Sequence, residues 1–270
     1  MIQNNNTSVL PFYTSKDEQN HRRSYAYGQV YPLFTPTTNI PPFQIVTASG
    51  WFGQLQSATL NKPDGTVVRN FFGVIDAQYE KVAKSGYDVL VYTGISQIAT
   101  ELAEGQYYIT LSDGAHTLYS DVFTAVKQIS PYVMIEWWDV EDLDSDGFGI
   151  VYIPETGVQF KNRLYLMTQL GKPEYVFEEE GQTRDGYFFP EKQVSEKTYK
   201  CTILAPEYLC DVMRFIRMSD VVKVKDNFGR EYDVDTFLIT PKWEDQGDLA
   251  SVEIEFQTAT VMKKIGRATT

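Results

Sequence analysis

Residues 249–259 read "LASVEIEFQTA", and the alternation within them decides the fold class. Val252, Ile254 and Phe256 fall on one side of an extended chain, while Glu253, Glu255 and Gln257 fall on the other, because successive strand side chains point to opposite faces. One face of this strand is wet. Upstream, "FKNRLYLM" from Phe160, "SEKTYKCTIL" from Ser195, "VVKVKD" from Val221 and "REYDVDTFLIT" from Arg230 read as further strands. The spacing changes only once, in "APEYLCDVMRFIRMSD" from Ala205. There Leu209, Val212, Met213 and Ile216 give the i, i+3, i+4, i+7 stripe of an amphipathic helix over about 206–218. Pro206 sits near its first turn, where a missing N–H costs nothing. "DNFG", residues 226–229, turns the following hairpin, with Gly229 free to adopt positive φ.

The same period-2 spacing continues toward the N-terminus. Between Phe43 and about Val126, "NKPDGTVV" places a Pro-Asp-Gly turn between "LQSATL" and "VVRNFF". "YDVLVYTG" is a strand, and "GQYYITLSDGAHTLYSDVFTAV" is a hairpin. Short strands at this spacing predict a β-sandwich of the immunoglobulin or fibronectin III-like kind over 41–130. Tyr107 and Tyr108 after Gly105 loosely match a tyrosine corner. Residues 1–40 carry aromatics and scattered prolines without a sustained period, and read as an extended N-terminal arm. Tyr25, Tyr27, Tyr31 and Phe34 in it are expected to pack on the body or on another chain. Assembly, and not folding, would then depend on the arm. His21, Arg22 and Arg23 form its basic cluster, a solvated surface or an interface pair. The expected organisation is therefore mainly β: an arm to 40, a sandwich over 41–130, a connecting hairpin over 131–156 and a β-rich domain with one helix over 157–270.

Composition narrows the function classes. The 24 Lys and Arg against 36 Asp and Glu give a formal charge of −12, which opposes any general affinity for nucleic-acid phosphates. No apolar run of 18 residues exists, and the first residues lack the basic and apolar regions of a signal peptide, so neither membrane insertion nor ordinary secretion is expected. Cys201 and Cys210, nine residues apart, predict two free thiols in a reducing compartment, one in a strand and one on the helix.

Chemistry is hard to find along the chain. "DLDSDG" places Asp142, Asp144, Asp146 and Gly147 at the first, third, fifth and sixth positions of an EF-hand loop. The twelfth position is Ile153 in place of a bidentate glutamate, and the flanks read as strands. A solvated acidic turn between two strands fits better than a calcium site. His21 and His116 are the only histidines, His116 in a predicted surface turn, and no zinc, P-loop, dinucleotide or nucleophile-elbow motif occurs. Glu178, Glu179, Glu180 and Asp185 cluster in "FEEEGQTRDGYFFPEK", read as a charged loop in which Arg184 pairs with an acid. Three consecutive aromatics, Tyr187, Phe188 and Phe189, cannot all enter one core, and a subunit contact would explain them. Trp137 and Trp138 invite a sugar-binding reading, but adjacent strand residues face oppositely, which leaves one of them for the core. No catalytic, cofactor-binding or metal-binding residue is assigned.

Four segments carry a resemblance: "FKNRLYL" (160–166), "GKPEYVFEEEGQTRDGYFFPEKQVSEKTY" (171–199), "LAPEYLCDVMR" (204–214) and "YDVDTFLITPKWEDQGDLASVEIEF" (232–256). Across about residues 40–266 the chain resembles structural proteins of Bacteroidales phages and prophages. The resemblance implies a non-enzymatic virion component of the tail, baseplate or connector ring. Its partners would be other copies of itself in a ring and neighbouring virion proteins, and it would assemble in the bacterial host cytoplasm. It carries no site residues with it. A carbohydrate-binding or adhesin-like β-sandwich module is the alternative, and a glycan hydrolase is the third reading.

Overall fold

A computed structural model of the chain describes residues 9–19, 33–48, 50, 55–70, 79–84, 87–92, 101–127, 132–139, 160–243 and 249–264. The first half supplies β1 (Phe12–Tyr13), β2 (Phe34–Pro36), β3 (Phe43–Ala48), β4 (Ser57–Asn61), β5 (Val67–Asn70), β6 (Tyr79–Lys84), β7 (Tyr87–Tyr92), β8 (Gly105–Ser112), β9 (Thr117–Ser120) and β10 (Phe123–Val126). The second half supplies β11 (Val133–Trp138), β12 (Asn162–Leu166), β13 (Glu174–Arg184), β14 (Tyr187–Pro206), the helix α1 (Glu207–Ile216), β15 (Val221–Lys225), β16 (Glu231–Lys242) and β17 (Leu249–Lys264). The fold is mainly β.

Turn chemistry sets the local connections. Gly65 adopts φ 88° and its N–H donates to the Lys62 carbonyl, closing the Pro-Asp-Gly turn between β4 and β5. Gly229 at φ 79° does the same between β15 and β16, where its N–H donates to the Asp226 carbonyl. Asp113 caps the β8–β9 turn by accepting from the N–H groups of Ala115 and His116, which leaves the His116 ring in solvent as a turn residue. Near the start of β8, the buried Tyr107 donates its hydroxyl to the Ala103 carbonyl at 2.8 Å, tying the strand to the backbone four residues upstream as a tyrosine corner does.

Among the described residues, fourteen strands join one sheet, and β3, β7 and β6 form a second. A chain of paired strands runs β5–β4–β8–β10–β2–β12–β11–β15–β16–β17–β14–β13, with β9 and β1 branching from β8. Phe43, Ile45, Leu90 and Tyr92 of the small sheet belong to one buried cluster with Tyr107, Ile109 and Leu111 of β8. That cluster extends without a break to Val252, Ile254 and Phe256 in β17. The sheet likewise crosses the boundary expected near residue 130, because β2 pairs with β10 on one side and with β12 on the other.

The expected arm is where the structure departs most from the sequence reading. Residues 9–19 and 33–40 belong to the body. Val9, Leu10, Phe12, Tyr13, Leu33 and Phe34 are buried, and β1 pairs with β9. β2 lies between β10, to which it runs parallel, and β12, to which it runs antiparallel, so it stitches the first half of the chain to the second. Phe34, expected to reach a neighbour, instead packs with Tyr132 and Tyr165 of its own chain. Two- and three-residue strands are too short to register as a period, yet a strand at a sheet edge or seam needs only a few ladder bonds and one or two buried side chains. Tyr25, Tyr27, Tyr31 and the cluster His21–Arg23 lie outside the described residues, as do Asp142, Asp144, Asp146 and the strand expected from Gly149.

Candidate interaction surface

Strand β14 runs 20 residues, and its two halves have different surroundings. Its C-terminal half pairs with β17 from Thr198↔Gln257 to Pro206↔Leu249, and β17 pairs in turn with β16. On this stretch Tyr199, Cys201 and Ala205 face inward with Ala250, Val252, Ile254 and Phe256. The helix α1 covers that face. Pro206 precedes its first residue in an extended conformation, and Leu209, Val212, Met213 and Ile216 of the stripe are each no more than 1% exposed. The helix expected over about 206–218 is thus present as Glu207–Ile216, with its stripe on the sheet as expected. Both cysteines are free and lie in this covered region. Burial pushes the Cys201 thiol up to about 12; burial, with Asp211 and Glu207 adding to it, pushes Cys210 up to about 11.

At the margin of the cover stands a cluster of rings. Tyr199 stacks on Phe256 at 5.5 Å between centroids and meets Tyr232 at 5.0 Å. Asp226, buried, accepts from the N–H groups of Phe228 and Arg230, from Arg230 Nε at 2.7 Å and from the Tyr232 hydroxyl at 3.2 Å. Burial opposes its ionisation, but the Arg230 backbone and guanidinium and the Phe228 N–H outweigh burial and hold the carboxyl below its ordinary value. Lys197 lies 5.0 Å from the Tyr199 ring centroid and 5.9 Å from that of Tyr175, spanning the boundary between buried and exposed rings.

Beyond Lys197 the same sheet face continues with nothing over it among the described residues. Paired residues of an antiparallel ladder share a face, and alternate residues of a strand return to it. Tyr175 pairs with Lys197 and Phe177 with Ser195, so both lie on the face that carries Tyr199 and Cys201. Their exposures are 59% and 72%. The register shifts between Glu180 and Gly181, after which Thr183 pairs with Phe188 and brings that ring, too, onto this face. A side chain at Gly181 would overlap the Phe189 carbonyl, so the shift requires glycine. Asp185 at φ 52° and Gly186 at φ 79° form a two-residue turn with both central residues left-handed, the type I′ geometry that matches strand twist. Tyr187 and Phe189, on the opposite face, are 72% and 53% exposed.

Hence "FEEEGQTRDGYFFPEK" is a projecting hairpin and not the expected loop, because its turn residues and ladder pairs satisfy the backbone without a core. Arg184, expected to pair with an acid, donates instead to Gln182 Oε1. Glu180 lies 3.5 Å from Lys192, and Glu179 accepts from Gln193. All of β13 is exposed, and it pairs only with β14, so its outer edge is open among the described residues. From Glu174 to Lys192 there are six carboxylates and two cations. The three aromatics at the tip were legible in the sequence as unable to share a core. Tyr175 and Phe177 were missed, because their common face with Tyr199 appears only from the register.

Elsewhere, Trp137 is buried and Trp138 lies under Lys161, whose Nζ is 4.1 Å from its ring centroid. Among the described residues no group of three or more His, Cys, Asp or Glu side chains could hold a metal ion, and no helix is long and apolar enough to cross a membrane. Compared with protein-family models, curated proteins and solved structures, the chain matches none.

Proposed function

We propose that the chain is a non-enzymatic structural subunit of a phage virion, placed in the tail or a tail-proximal ring or baseplate, where it contacts copies of itself and neighbouring virion proteins. The observation that carries this reading is the uncovered continuation of the sheet's core face at Tyr175, Phe177 and Phe188. Apolar side chains aligned with a core face and left in water favour association, since burying each large one is worth about 1.5–3 kcal/mol. A rigid ladder presents them without the ordering cost a loop would carry. The resemblance of about residues 40–266 to phage structural proteins supplies the virion context. In the same reading the first half is an immunoglobulin or fibronectin III-like sandwich that serves as scaffold.

The test is quantitative mass spectrometry of purified particles from the encoding phage or induced prophage, paired with a cryo-EM map. A fixed stoichiometry matching one ring is expected. Absence of the chain from particles would overturn the reading. The rival, a carbohydrate-binding or adhesin-like module, has lost Trp137 to the core, and glycan retention on an array with no copies in particles would favour it.

A further inference from the structure

Alternation divides the hairpin's charges unequally between its two faces. Glu174, Glu178 and Glu180 of β13 point away from the face of Tyr175 and Phe177, as does Glu196, which pairs with Val176. Lys192 lies 3.5 Å from Glu180 and Lys200 3.1 Å from Glu174, so that face is ionic. On the aromatic face β13 and β14 place only Glu179 and Lys197, with Asp185 at the turn. This face begins at the margin of α1 with the pair Tyr175↔Lys197 and ends at Asp185 and Gly186. Each large ring between them stands beside a small residue: Phe177 pairs with Ser195, and Phe188 with Thr183. Lys197 is held over the rings of Tyr175 and Tyr199, and among the described residues neither it nor Asp185 pairs with a group of opposite charge.

We propose that the aromatic face is covered by the same face of a second copy, the two hairpins lying antiparallel across a two-fold axis. The helix α1 limits the overlap, because it already occupies the sheet face beyond Lys197. The uncovered stretches overlap fully when the turn of each copy reaches the Tyr175↔Lys197 pair of the other. In that register Phe177 lies over Thr183 of the second copy and Phe188 over its Ser195, large against small on both sides of the axis. Glu179 lies over Gly181 of the second copy, which keeps the two Glu179 carboxylates out of line. At each end Lys197 meets Asp185 of the second copy, so both charges gain the partner they lack in one chain. Edge pairing of β13 with β13 would instead bring two runs of glutamates into one ladder, where like charges destabilise each other. At about 34 Å long and two strands wide, the contact is smaller than the standard of about 800 Å² per partner, so the dimer should come apart on dilution. A two-fold contact closes on itself and does not extend round a ring. It rests on the uncovered face that carries the virion reading, and in that reading it would join subunits of two facing rings.

Sedimentation velocity of the full chain from about 5 to about 200 µM, with circular dichroism as the check on folding, tests the contact. The wild type is expected to shift from monomer to dimer over this range. Phe177→Asp should remain monomeric, whereas Val176→Asp, on the ionic face of the same strand, should dimerise like wild type. Asp185→Lys and Lys197→Glu each set like charges together at both ends of the contact, and each alone should dimerise about tenfold more weakly. Mixed in equal amounts, these two should form a one-to-one dimer as readily as wild type, since both ends then carry opposite charges. A wild type that stays monomeric, equal loss of dimer in Val176→Asp and Phe177→Asp, or a mixture no more associated than its components would each overturn the proposal. A dimer from a chain that particles lack would leave the contact standing without the virion reading. A monomer found in particles at ring stoichiometry would leave the virion reading standing without this contact.

Discussion

The two halves of β14 share one strand and, across the register shift near Glu191, one sheet face, yet Tyr199 and Cys201 are buried while Phe188 is about half exposed. The difference is the layer above. Over the first stretch α1 lays Leu209, Val212, Met213 and Ile216 on the face; over the second, no described residue does. Alternation specifies that a face is apolar, but only the number of elements folded onto it determines how much of that face leaves water. In the covered half an apolar side chain contributes to folding, and in the uncovered half it is available for association.

The largest effect is expected from deleting residues 2–38, whose described residues include several with fully covered side chains. The deletion removes β1, β2 and the buried Leu10, Phe12, Leu33 and Phe34. At about 1.5–3 kcal/mol for each large side chain, against about 5–15 kcal/mol for a whole domain, the body should lose cooperative unfolding, read by thermal melting. A truncated chain that melts like wild type would show that β2 is not needed to join the halves.

Within the covered half, Leu209→Ala or Met213→Ala should each cost about 2–5 kcal/mol in urea denaturation, as cavities in cores do. At the margin, Asp226→Ala should cost about 1–3 kcal/mol, because it leaves the Tyr232 hydroxyl and two backbone N–H groups short of an acceptor. Since the folded pKa of Asp226 is depressed, the stability it contributes is fully present above the unfolded carboxylate value of about 3.9 and is lost as pH falls through the folded value. Acid titrations of the wild type and of Asp226→Ala should therefore converge at low pH, and curves that stay parallel would remove Asp226 from the account.

In the uncovered half, Phe177→Ser should change unfolding free energy by no more than about 0.5 kcal/mol, as surface substitutions do, while assembly is lost. Equal loss of stability in Phe177→Ser and Leu209→Ala would erase the distinction between the two halves. Smallest of all is the reaction of the native thiols. With Cys201 pushed up to about 12 and Cys210 to about 11, neither should be modified by a thiol reagent at neutral pH until the chain unfolds.

By itself the sequence determined many of the strands, the helix and several turns. Period-2 runs such as 249–259 and the stripe from Leu209 to Ile216 are local patterns, fixed by backbone geometry. The turns at Gly65 and Gly229 follow from residues that tolerate positive φ. What only tertiary structure decided is which apolar residues are covered. β1 and β2 are too short to show a period, and their burial depends on β9, β10 and β12, all distant in the chain. The acidic stretch 178–185 read as a loop because composition outweighed its ladder partners, which lie across a turn and past a register shift. Tyr175 and Phe177 look like ordinary strand residues until pairing places them on the face of Tyr199, beyond the reach of a helix of 10 residues. Local preference is encoded within a few neighbours along the chain, whereas coverage is a property of layers whose members are separated by tens of residues.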